Sequence, residues 1–314
     1  MRLGAFIVPT GIGASIGGFA GDASLYARKF AQKNKLIVNP NVVNAGCFSG
    51  ITNNMLYVEG YTIDEFFKGN IRLEESYNNK IGIVFDKSIS QDVLNVHINT
   101  INAVKMIYGI NILDWDITDE DVGVEFLVDS TNISSGYVNN LKTVINSAKR
   151  LLNKGADAIA IVCKFKDDEF NDYAKGIGVD PIGGVEAIIS HYVSRELKIP
   201  CAHAPAFENI NIEKKVVDPR CAAEYITPTY LPCILIGLSN APKISHNTGY
   251  TIDDLDYLII PANSLGSIPV LECNKRNIPI YAIEENVTVL DITQEKLNCN
   301  VKSYKTYDKL LQSL

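Results

Sequence analysis

No stretch of this chain packs Lys or Arg densely enough to follow a phosphate backbone, and 29 basic against 36 acidic residues leave a formal net charge of −7. That balance excludes nucleic acid as an expected partner. No pair of the seven cysteines has CxxC spacing, so a structural zinc site has no support and no metal is expected. Cys47, Cys163, Cys201, Cys221, Cys233, Cys273 and Cys299 are odd in number and scattered, several inside apolar runs. Buried thiols in a reducing cytoplasm are the expectation. No segment approaches the length of a membrane span, and no low-complexity linker divides the chain. The uncharged stretch after Arg2 superficially resembles a secretory signal. Its six glycines and Pro9 oppose a continuous apolar helix, and Leu3 to Val8 reads instead as a buried strand. The acidic cluster Asp114, Asp116, Asp119, Glu120 and Asp121 lacks the glycine and glutamate of a calcium loop and reads as solvated.

What is present in quantity is glycine, arranged twice in the same way. Gly11-Ile12-Gly13-Ala14-Ser15-Ile16-Gly17-Gly18 and Gly176-Ile177-Gly178-Val179-Asp180-Pro181-Ile182-Gly183-Gly184 each precede a helical pattern and then a proline-marked strand. From Gly18 to Pro40 is 22 residues, and from Gly184 to Pro205 is 21. A weaker third copy runs from Tyr257 to Ile283 through Asn263 and Gly266. Each unit reads as strand, glycine turn, helix and strand, so the expected fold is α/β with a mostly parallel, Rossmann-like sheet built from repeats. Two lobes, 1–135 and 136–314, are expected, with one continuous domain as the alternative.

Between the motifs, the patterns predict helices over Thr62 to Lys68, Ser90 to Tyr108, Tyr137 to Asn153 and Thr229 to Leu238. Strands are predicted over Ile81 to Phe85, Val124 to Val128 and Ala156 to Cys163, the last followed by an acidic Asp167-Asp168-Glu169 loop. A closing αβα segment is expected from Asp291 to Leu314.

Ligands of an open parallel sheet sit beyond the carboxyl ends of its strands. Glycine turns there let a ligand approach the backbone, and helix starts offer N–H groups to an anion. The expected ligand-binding residues are therefore Thr10, Gly11, Gly13, Gly17, Gly18, Asp22, Asn39, Asn44, Gly176, Gly178, Asp180, Gly183, Gly184 and Asn263. Among four histidines, His97 and His191 fall within helical patterns and His246 in a loop. His203, which follows a strand, is the expected acid or base, with Glu186 and Glu284 beside it as catalytic candidates.

Thr10-Gly11-Ile12-Gly13-Ala14-Ser15-Ile16-Gly17 resembles the short-chain dehydrogenase fingerprint, with Ser15 in place of a glycine and no Tyr-x-x-x-Lys anywhere. No nicotinamide or other cofactor is expected. Gly183-Gly184-Val185-Glu186-Ala187 with the Ile199-Pro200 strand, and the Gly-Ile-Gly triplets, resemble nicotinate-nucleotide:dimethylbenzimidazole phosphoribosyltransferases, whose GIGNTT and GEGTGA segments are not matched. That likeness implies a phosphate pocket. Cys47 and Cys163 are placed as the paired cysteines of aspartate and glutamate racemases are, without those enzymes' local patterns. Over nearly the whole length, Pro9-Thr10-Gly11, Ala20-Gly21-Asp22-Ala23, Tyr57-Val58-Glu59-Gly60-Tyr61, Gly178-Val179-Asp180-Pro181, Pro200 to Pro205 and Glu284-Glu285-Asn286 resemble the uncharacterised bacterial and plastid family known as domain of unknown function 3326.

The function expected is a cytoplasmic enzyme acting on a small anionic metabolite bearing phosphate or carboxylate, of the phosphoribosyl- or glycosyl-transferase type. A cofactor-independent racemase or isomerase using Cys47 and Cys163 is the enzymatic alternative, and a non-catalytic metabolite-binding or scaffold protein is the other. A homo-oligomer is compatible with the sequence, and no membrane partner is expected.

Overall fold

The repeated strand–turn–helix–strand units build two separate parallel sheets in the computed structural model, which describes residues 1–167, 172–210 and 212–314. The acidic turn expected at Asp168 and Glu169 lies outside the described residues. The larger sheet has six strands, all parallel, in the spatial order Lys302–Tyr304, Ile280–Ile283, Leu255–Pro261, Arg2–Phe6, Asn34–Val38 and Met55–Tyr57. The smaller runs Cys201–Ala206, Ala158–Lys164, Ile81–Phe85 and Ile112–Ile117, again all parallel.

All three proposed repeats close as parallel βαβ units. In the first, Arg2–Phe6 and Asn34–Val38 flank the helix Ser24–Ala31. In the second, Ala158–Lys164 and Cys201–Ala206 flank Gly183–Leu197. In the third, Leu255–Pro261 and Ile280–Ile283 flank Ile268–Arg276. The lobes are interleaved along the chain. The six-stranded sheet draws on residues 2–57 and 255–304, and the four-stranded sheet on 81–206. A cut at residue 135 falls inside the hairpin of Val124–Val128 and Ser134–Val138 and divides the smaller sheet.

Parallel strands covered on both faces need apolar side chains at every position, which is why Ala158-Ile159-Ala160-Ile161-Val162-Cys163 shows no alternation. Its even and odd residues serve different cores. Ala158, Ala160 and Val162 face a cluster with Val93, Ile101 and Leu235, whereas Ile159, Ile161 and Cys163 pack with Val144, Ile145, Val185 and Ile189. The first of these clusters also contains Phe6, Leu36, Val38 and Tyr57 from the larger sheet, so one core joins both sheets. Each fully buried large side chain in it contributes roughly 1.5 to 3 kcal/mol of transfer free energy.

Two boundaries differ from expectation. Tyr137 lies in the hairpin strand Ser134–Val138, and the following helix starts only at Leu141. After Gly18 the chain turns through Ala23 before the helix Ser24–Ala31 begins, because left-handed Gly17 and Gly21 interrupt any helical path. The predicted helix over residues 229–238 is observed as Leu231–Ser239, and the closing segment holds Gln294–Leu297, Lys302–Tyr304 and Tyr307–Ser313.

Candidate functional site

The carboxyl ends of strands from both sheets open into one cleft of about 1240 Å³. Thr10 lies beyond Arg2–Phe6, Glu59 beyond Met55–Tyr57, and Asp167 and Phe207 beyond two strands of the smaller sheet, and all four line it. The two glycine loops meet on its wall. A side chain on Gly11 would lie 3.6 Å from the Gly184 Cα, and one on Gly13 would lie 3.9 Å from the Gly178 carbonyl oxygen.

Further contacts fasten the loops together. Phe19 stacks on Tyr173 with ring centroids 4.9 Å apart, and the Arg220 guanidinium sits 4.4 Å from the Phe19 ring while Nη2 donates to the Gly176 carbonyl at 2.8 Å. The second loop is also pinned to the hairpin. Ser134 Oγ donates to the Pro181 carbonyl at 2.8 Å and accepts from the Gly184 N–H at 3.0 Å.

In each glycine loop one backbone donor expected to face an anion is taken by the protein's own carboxyl group. Asp180 Oδ1 accepts the Ile182 N–H at 3.0 Å at the start of the helix Gly183–Leu197, and Asp22 Oδ1 accepts the Gly17 N–H at 2.6 Å. An internal carboxyl group at each turn competes with an external anion for these donors.

Glu186 stands in the first turn of the helix Gly183–Leu197, where the helix dipole favours its charge by roughly 0.3 to 1 kcal/mol. Burial wins decisively, pushing the carboxyl from 4.5 up to about 8. Its Oε1 is 3.1 Å from Nδ1 of His203, on the edge strand Cys201–Ala206. The side chain is 1% exposed, and its imidazole lies against Phe165, with 5.5 Å between ring centroids. Burial drives it down to about 3, against the pull of Asp86, so it is neutral at physiological pH. Its Nε2 has no hydrogen-bond partner among the described residues. The contact joins a carboxyl and an imidazole that burial displaces in opposite directions.

Among the described residues, three further half-buried carboxyl groups line the cleft. Glu59, at the head of the helix Gly60–Phe67, is raised to about 8 by burial and then by Glu186. Asp180 is raised to about 7 by burial and then by Glu186. Glu224, on Ala222–Tyr225, is raised well above the usual range by burial and then by Asp180, with the Tyr173 hydroxyl beside it. Among the described residues no group of three His, Cys, Asp or Glu converges as metal ligands.

Of the residues expected from the sequence, Thr10, Gly11, Gly13, Gly17, Gly18, Asn44, Asp180, Gly183, Glu186 and His203 line the cleft. The others stand off it. Gly176, Gly178 and Gly184 shape the loop behind the wall, and Asp22 closes the first loop. Asn39 is a buried clamp whose amide bonds the Val8 N–H at 3.1 Å and carbonyl at 2.7 Å. Asn263 ties the Thr288 and Leu290 carbonyls at 2.9 and 2.8 Å, and Glu284 is exposed next to Tyr304. Both lie beyond strands on the half of the larger sheet away from the cleft, which separates Glu284 from His203. Neither paired cysteine lines the cleft: Cys47 is bonded to Thr227, and Cys163 is wholly buried with its thiol raised well above its usual value by desolvation. Sequence reasoning passed over Glu59 and Glu224 as site residues. Glu59 sits at a strand end in Val58-Glu59-Gly60, which was a usable signal, whereas the local sequence around Glu224 carried none.

Two parallel sheets that share a core and direct their strand ends into one acid-lined cleft define an α/β architecture organised around that cleft. The chain belongs to the family described as "Protein of unknown function (DUF3326)", whose model matches residues 4–312. It is 36% identical over 311 residues to an uncharacterized lipoprotein of Synechococcus sp., covering 96% of this chain and 86% of that one. No solved structure matches it. Among the described residues no helix is long and apolar enough to cross a membrane.

Proposed function

We propose that the chain is an enzyme that moves a proton on a small metabolite held in the cleft, with Glu186 and His203 as its acid–base pair. The observation that carries this reading is the 3.1 Å contact between Glu186 Oε1 and His203 Nδ1 inside a cavity of metabolite size. Near neutral pH the protonated Glu186 gives its proton to the ligand and becomes a carboxylate, which takes a proton back to end the cycle. His203 lies beside it to orient the carboxyl, and its Nε2 offers one further polar contact to the ligand. Such a pair serves proton shifts and also the activation of a nucleophile in group transfer. The free thiols of all seven cysteines suit a reducing cytoplasm, so this compartment belongs to the proposal.

The test is depletion of metabolites from a cell extract, followed by mass spectrometry, with the full chain and with Glu186→Gln. A compound consumed by the wild type and at least about 100-fold more slowly by the folded variant supports the reading. Equal consumption by both removes Glu186 from the chemistry.

A further inference from the structure

Resting on the reading of the cleft as the ligand site, we infer that it receives an organic cation, an amine or guanidinium group seated among Glu59, Asp180, Glu186 and Glu224. The first observation is the imbalance of the lining. Four half-buried carboxyl groups from separate parts of the fold face the cavity, and the cations lining it among the described residues, Lys214 and Lys215, are exposed. Arg220, the nearest other candidate, is held by Asp218 and the Phe19 ring.

The second observation is independent of charge. His203 is more than nine-tenths buried and lines the cleft, and among the described residues neither its Nε2 nor Asn44 Oδ1, also on the lining, has a hydrogen-bond partner. Buried polar atoms left unpaired cost free energy, and a ligand carrying polar groups satisfies them.

Ligand classes divide on these facts. An anion would add its charge to a wall already crowded with carboxyl groups, whose mutual repulsion helps hold Glu59, Asp180 and Glu224 above the usual range. Of the loop N–H groups that would offset it, those of Gly17 and Ile182 are engaged by Asp22 and Asp180. A bare metal ion needs three or more converging donors, and the carboxyl groups are instead distributed along the wall. An ammonium or guanidinium has several N–H donors to distribute among separate carboxyl groups, and its charge draws Glu59, Asp180 and Glu224 into the ionised form while Glu186 accepts a hydrogen bond and keeps the proton it transfers.

Calorimetric titration of the full chain with agmatine, putrescine, uncharged 1,4-butanediol and inorganic phosphate tests this. Agmatine or putrescine should bind at least about tenfold more tightly than the diol, and Glu224→Gln and Glu59→Gln should each weaken the amine by about tenfold or more, with circular dichroism confirming a folded variant. Binding of phosphate without binding of either amine would overturn the inference, as would amine binding indifferent to both substitutions. Metabolite depletion that depends on Glu186 while neither amine binds would sink the cation and leave the acid–base reading standing. Amine binding lost in the Glu224 and Glu59 variants, with no metabolite consumed, would do the reverse.

Discussion

Asp22 Oδ1 accepts the Gly17 N–H at 2.6 Å, so the first glycine loop carries its own anion. The same oxygen stands 3.4 Å from the Phe19 nitrogen, and burial raises the carboxyl to about 6 despite these bonds. The role this assigns to Asp22 is loop closure rather than ligand contact. Asp22→Ala leaves those backbone donors unpaired and should lower unfolding free energy in urea by about 1 to 3 kcal/mol. Unchanged stability would mean that the loop holds its shape without the carboxylate.

The glycine loops separate positions that pack from positions that merely turn. A Cβ on Gly184 would stand 2.2 Å from the Ser134 carbonyl oxygen, backbone that cannot step aside, whereas one on Gly178 meets nothing within 4 Å. Gly178 still has φ of +95°, where an alanine is strained. Gly184→Ala should therefore destabilise by about 3 kcal/mol or more, through overpacking between helix and hairpin. Gly178→Ala should cost about 1 to 2 kcal/mol. Thermal melts of the two variants check the order, and a milder Gly184 variant would contradict the contact.

The repeats were legible because glycine and proline punctuation records backbone geometry directly: all three units fold as parallel βαβ elements. Their division between two sheets was not, since the pairing of Arg2–Phe6 with Leu255–Pro261 spans some 250 residues and leaves no local mark. Glu186 and His203 could be named from helix-start and strand-end positions. The sequence could not say that the intervening helix and strand bring them to 3.1 Å, nor that Asp22 and Asp180 occupy the very donors an anion would use. Glycine loops announce close backbone approach, and here much of what approaches is the protein itself.

Glu186 gives the cleft a pH signature. Burial raises its carboxyl from 4.5 to about 8, so between those values the folded chain keeps a proton that the unfolded chain has lost. Its contribution to stability is complete below about pH 4.5 and is lost as pH rises through about 8. Glutamine does not titrate. The melting temperature of Glu186→Gln relative to wild type should therefore climb between pH 5 and about 8.5 and level off above it. His203, lowered from 6.5 to about 3, acts with the opposite sense, removing stability from both proteins as pH falls below 6.5. A difference constant across the whole range would show that Glu186 is ionised in the folded protein at neutral pH.

His203 carries the most demanding prediction, because a buried histidine bonded to a carboxyl can also be a simple packing element. Its ring is fixed by Phe165 on one side and by Glu186 at Nδ1, and Nε2 remains for a ligand. His203→Gln keeps an amide able to bond Glu186 but cannot accept and return a proton. If the imidazole shares in the chemistry, kcat for a metabolite found by depletion should fall roughly 100- to 10,000-fold, about 3 to 5 kcal/mol of transition-state stabilisation. Ligand affinity should change by less than about threefold, since one neutral contact is replaced by another. A packing role predicts the reverse: a lower melting temperature with kcat nearly intact. Retention of more than about a third of wild-type kcat corresponds to less than 1 kcal/mol and would remove His203 from the proton transfer, leaving it to Glu186.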